Sequence, residues 1–97
     1  MKTIEIIITG KVQKVGFRAC VRKLAHDLKI TGMVINMPDG NVHIFASGDS
    51  MILEKFISMI YGCPRAVIRD VRTEEVPFKI FADFSIIKGE SRISTGL

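Results

Sequence analysis

The chain has no tryptophan, one tyrosine, three prolines and two cysteines in 97 residues. Without tryptophan the core has to be aliphatic, built on Ile, Val, Leu and Met with six Phe. Two cysteines are too few to staple a secreted scaffold. Cys20 and Cys63 are therefore expected as free thiols in a reducing, cytoplasmic setting, although antiparallel helices could bring them together. No segment approaches the length of a membrane span, and Glu5 interrupts what a leader would need as an apolar stretch, so no membrane partner is expected. His26 and His43 stand alone and the cysteines lack ligand spacing, which leaves no metal site and no cofactor in view. Neither an internal repeat nor a linker is visible.

What is present is ordinary globular material, 47% apolar and 25% charged, which argues against disorder. The length fits one domain over residues 1–97, with a core at about 3–88 and a tail at 89–97 that lacks apolar periodicity. A net charge of +4 favours an anionic partner, and the excess suits a phosphate-bearing metabolite as readily as nucleic acid. A monomer is the default expectation.

Ile4, Ile6 and Ile8 alternate, so residues 3–11 read as a central strand. Cys20, Val21, Leu24, Ala25 and Leu28 recur at helical spacing and place a helix at 17–28. Two short strands, 31–36 and 42–47, flank the turn Met37-Pro38-Asp39-Gly40-Asn41. A second helix carries Leu53, Phe56, Ile57 and Ile60; Asp49 or Ser50 can cap it, and Gly62 and Pro64 stop it. Extended stretches at 66–76 and 79–87 complete the chain. The order is the α+β, ferredoxin-like βαββαβ plan with one additional C-terminal strand, an antiparallel sheet with both helices on one face. That plan hosts many functions and settles none of them.

The informative segment is residues 10–18, GKVQKVGFR. A helix starts near Phe17 or Arg18, yet no Ser, Thr, Asp or Asn lies between 10 and 18 to accept from its first-turn amides. Those amides have to meet water, distant groups or an anion, and Gly16 lets a ligand approach the backbone closely. Lys11, Lys14, Arg18, Arg22 and Lys23 crowd this end, where cations oppose the helix dipole and a bound phosphate would relieve the conflict. The plain alternative is a tight turn carrying solvated basic side chains.

Residues 10–18, followed by GMVINMPDGNV at 32–42, resemble the acylphosphatase family, whose pattern is G-x-V-Q-G-V-G-F-R and then G-W-V-x-N-x-x-D-G-x-V. The likeness covers about residues 3–87 and includes Phe81, Phe84 and Ile86 near the end. It implies hydrolysis of an acyl phosphate to a carboxylate and inorganic phosphate. By this resemblance Arg18 and the backbone amides of Lys14, Val15, Gly16, Phe17 and Arg18 bind the phosphate, and Asn36 orients the attacking water. The chemistry is consistent with those residue types. Guanidinium grips phosphate oxygens in a fork that lysine cannot reproduce. Strand alternation sets Asn36 on the face of Val34, at a strand end. The leaving carboxylate, with a pKa near about 4, departs without a general acid. Phosphoryl transfer then asks mainly for positioning and charge stabilisation, so neither a base nor a metal is required.

One departure from the pattern matters, because Lys14 stands where the family usually has glycine. If that position needs a positive φ, lysine strains the loop: a misshapen cradle leaves a catalytically weak or inactive phosphate-binding module, and the opposite outcome is that Lys14 lends its ammonium to the substrate. Met33 in place of the usual Trp touches packing. Two other readings compete with this one. RNA-recognition domains share the plan, but residues 41–48 (NVHIFASG) show one Phe and no interleaved Lys or Arg, so no nucleic-acid partner is expected. The acylphosphatase-like domain of larger carbamoyl-phosphate-using maturation enzymes is the other, and the chain's length weighs against it.

Overall fold

Alternation decides which face of the sheet is covered. A computed structural model describes residues 1–88; the expected tail at 89–97 lies outside them. In β1 (Lys2–Lys11) Ile4, Ile6 and Ile8 are buried, as are Val34 in β2 (Thr31–Asn36) and Val42, Ile44 and Ala46 in β3 (Val42–Gly48). These side chains share one core with Phe17, Val21 and Ala25 of α1 (Phe17–Asp27) and with Leu53, Phe56 and Ile60 of α2 (Ser50–Ile60). Burial of each large side chain supplies about 1.5–3 kcal/mol. Asp49 caps α2, its carboxylate accepting from the Met51 amide at 3.1 Å.

The chain continues into β4 (Val67–Val76) and β5 (Phe84–Ile87), and the sheet order is β4-β1-β3-β2-β5. The pairs β1/β3, β1/β4 and β2/β3 are antiparallel, whereas β2/β5 is parallel. This corrects the expectation of an antiparallel sheet: the five strands form a mixed one. The cause is the sheet order, which sets consecutive strands β4 and β5 on opposite edges. The connection 77–83 has to cross the sheet, so the expected strand at 79–87 shrinks to Phe84–Ile87.

That crossing segment is fastened beneath the sheet. Thr3 and Ser47 are register partners on the face away from Ile4 and Ala46, and their hydroxyls lie 2.6 Å apart. The Lys79 amide donates to Thr3 Oγ1 at 2.8 Å, and Ser47 Oγ donates to the Lys79 carbonyl at 2.7 Å. His43, beside Glu5 at 3.4 Å, occupies the same helix-free face, as its place between Val42 and Ile44 implies.

The cysteines are not free thiols. Cys20 and Cys63 form a disulfide, their Cα atoms 6.0 Å apart, and the expectation is corrected on this point. Packing both helices on one face sets the start of α1 beside the end of α2, which brings the pair within bonding reach. With both cysteines bonded, no free thiol points to a reducing compartment. No helix among the described residues is long and apolar enough to cross a membrane.

Candidate active site

The site begins where β1 stops being regular. The β1–β4 register shifts between Thr9 and Gly10, and Gly10 takes φ 137°. A side chain there would run into the backbone of Val67–Arg69, so glycine is what lets the strand bend into the following loop. Val12 and Phe17, each 1% exposed, anchor the two ends of that loop in the core, and Val15 packs partly against it.

Between these anchors the backbone turns twice through left-handed conformations, at Lys14 (φ 63°) and Gly16 (φ 77°). Gly16 is the N-cap of α1 and offers no side-chain acceptor, and no acid stands in the first turn. The opening amides of α1 are therefore left to whatever fills the space before them. That space is a cleft of about 190 Å³ whose walls include Lys14, Gly16, Phe17, Arg18, Ile86 and Lys88.

Arg18 reaches from α1 toward the sheet, its Nη1 donating to the carbonyl of Ile87 at 3.4 Å. Ile87 is the register partner of Ile35, so this contact carries the guanidinium to the end of β2 where Asn36 follows. Asn36 is only 9% exposed and lies on the Val34 side of the strand. Its Oδ1 is sealed from solvent and accepts no hydrogen bond from the described residues. An orphaned acceptor of this kind costs about 1–3 kcal/mol, and a donor such as a water molecule would relieve it.

Of the residues singled out from the sequence, Lys14, Gly16, Phe17 and Arg18 line the cleft, and Val15 turns partly toward the core. Asn36 is not part of the cleft wall but ends the strand next to it. Three contributors escape the sequence reading. Ile86 and Lys88 join the wall because β5 lies against β2, a pairing no local pattern announces. Gln13 was read only as a letter of the motif, yet its Nε2 donates to the carbonyls of Met37 at 2.8 Å and Asn41 at 2.9 Å. It thereby ties the loop to the turn after Asn36. Among the described residues no three His, Cys, Asp or Glu gather as metal ligands would.

Known proteins share the sequence pattern and the fold. The acylphosphatase family model matches residues 4–86. A relative named acylphosphatase from Archaeoglobus fulgidus is 39% identical over 87 residues, covering 89% of this chain and 98% of its own. The crystal structure of an acylphosphatase from Bacillus subtilis superposes with a TM-score of 0.86 at 34% identity, over 90% of this chain and 99% of that one. Full-length HypF in its phosphate- and nucleotide-bound form superposes at 0.83 with 33% identity, over 89% of this chain but 12% of that much longer one.

Proposed function

Since this chain belongs to the acylphosphatase family, we propose that it hydrolyses acyl phosphates to a carboxylate and inorganic phosphate at the cleft before α1. The observation that carries the reading is an uncapped helix start facing a cleft with Arg18 on its wall, next to a strand ending in a buried Asn36 with an unpartnered oxygen.

In this reading the phosphate sits on the amides of Lys14 to Arg18, and the Arg18 fork holds its oxygens. Asn36 Oδ1 accepts from the attacking water and fixes its lone pair toward phosphorus. The water oxygen bonds to phosphorus as the bond to the acyl oxygen breaks. The electron pair leaves with the carboxylate, and the water's proton passes to a phosphate oxygen. Charge developing on the equatorial oxygens is met by guanidinium and amides that are already in place. No step draws on a metal or a cofactor.

Lys14 bears on the rival reading of a phosphate binder without turnover. Its backbone adopts the left-handed conformation that glycine takes freely, at a cost of about 1–2 kcal/mol. The loop keeps its turn in spite of the lysine, which favours hydrolysis. The deciding experiment is turnover of benzoyl phosphate in EDTA beside an Arg18→Ala control. Activity that needs Arg18 and ignores the chelator is expected. A well-folded protein that binds inorganic phosphate but turns over nothing would establish the binding module instead.

A further inference from the structure

We propose that Arg65 is a specificity-determining residue of this site, holding a second negative charge on the acyl part of the substrate, and that the Cys20–Cys63 bridge keeps it in place. The proposal rests on the acylphosphatase reading above.

The turn after α2 is built to aim this side chain. Gly62 and Cys63 donate their amides back to Met59 and Ile60, each at 3.0 Å, and end the helix. Pro64 then fixes its own φ, and Arg65 takes the left-handed conformation at φ 66°. That conformation is strained for a residue other than glycine, so the surrounding turn has to impose it. Cys63, 5% exposed, supplies the constraint through its bond to Cys20. The Cys20 amide in turn donates to the Gly16 carbonyl at 3.2 Å. A short path through one disulfide and one backbone hydrogen bond therefore joins Arg65 to the loop across the gap between the helices. At its end a methyl group on Gly16 would stand 3.5 Å from Nη2 of Arg65.

Charge makes this placement informative. The cleft wall already carries Lys14, Arg18 and Lys88 beside the positive end of α1. None of these three, nor Arg65, is ion-paired with an acid within 4.0 Å among the described residues. A further cation beside three like charges is unfavourable until an anion arrives. The phosphate group brings about two negative charges, fewer than the cations of the wall alone. Arg65 is left to face a further anion. It lies on the rim, not on the cleft wall, which suits the acyl part and not the transferred phosphorus. The substrate class this selects is an acyl phosphate with an anionic acyl group.

The test compares benzoyl phosphate with 4-carboxybenzoyl phosphate, which differ only by the second charge. Wild-type protein is expected to show the lower KM for the carboxylated substrate at low salt and to lose that preference at high salt. Arg65→Ala is expected to raise the KM for 4-carboxybenzoyl phosphate roughly three- to fivefold, the size of an exposed charge pair, and to leave benzoyl phosphate within about 1.5-fold. Arg65→Lys should retain part of the preference. Reduction with dithiothreitol, or the Cys20→Ser/Cys63→Ser pair assayed below its melting temperature, should reproduce the Arg65→Ala result. Equal effects of Arg65→Ala on both substrates, or none on either, would overturn the assignment. A folded, bridge-free protein that kept the preference would overturn the role of the disulfide. If folded wild-type protein hydrolysed neither substrate, the acylphosphatase reading itself would fail and this proposal with it.

Discussion

Gln13 and Met37, twenty-four residues apart in the chain, are joined by a hydrogen bond of 2.8 Å from the side-chain amide of one to the carbonyl of the other. The second proton of the same amide goes to Asn41, whose own carbonyl accepts from the Met37 amide across the turn. One side chain thus sets the spacing between the loop that would hold phosphate and the strand end that would hold water.

Removing that tie should hurt catalysis more than binding. Gln13→Ala is expected to lower kcat for benzoyl phosphate about tenfold or more with a smaller change in KM, because loop and Asn36 lose their common frame. Loss of two hydrogen bonds should also cost about 1–3 kcal/mol in urea unfolding. Unchanged kcat in a folded variant would show that the hairpin holds its place without Gln13.

Arg18→Ala is expected to abolish turnover, and Arg18→Lys to recover little, since an ammonium cannot form the two-point grip. Asn36→Ala should cut kcat by about a hundredfold or more while leaving phosphate inhibition nearly unchanged. It also deletes the orphaned buried oxygen, so the variant should be no less stable than the parent. Kinetics paired with thermal melts would check both halves, and normal turnover by the Asn36 variant would end its assigned role.

Lys14→Gly should stabilise the protein, by about 1 kcal/mol, because the left-handed backbone at φ 63° is relaxed for glycine. A shift of the urea midpoint to lower denaturant would contradict the strain argument.

The Cys20–Cys63 bridge closes a loop of sequence separation 43. Chain entropy alone gives such a loop about 4 kcal/mol, so reduction should lower the melting temperature by roughly 10 °C or more. Thiol titration of denatured, unreduced protein should find no reactive cysteine.

Much of this fold could be read from the residues, because its central strands and helices announce themselves locally. Ile4, Ile6 and Ile8 alternate because one face of β1 lies under helices, and Leu53, Phe56 and Ile60 recur because one stripe of α2 does. The last third was harder. β4 is an edge strand with its side chains largely exposed, so burial writes little pattern into it, and the crossing at 77–83 follows from sheet order, not composition. The loop could be picked out by its missing cap and its cations; Asn36 stood out only through the family resemblance, and alternation from Val34 gave its face. Arg65 and the disulfide depend on how two helices meet, and nothing in the spacing of Cys20 and Cys63 encodes that.

The exposed β4 has a consequence for how these molecules behave in company. Among the described residues no strand pairs with the outer edge of β4, a ready template for another chain to extend the sheet. Along that strand stand Arg69, Asp70, Arg72, Glu74 and Glu75. An incoming strand in register would have to match two guanidinium and three carboxylate groups along it. The same charges that blur the strand's pattern in the sequence thus act as gatekeepers against fibre growth.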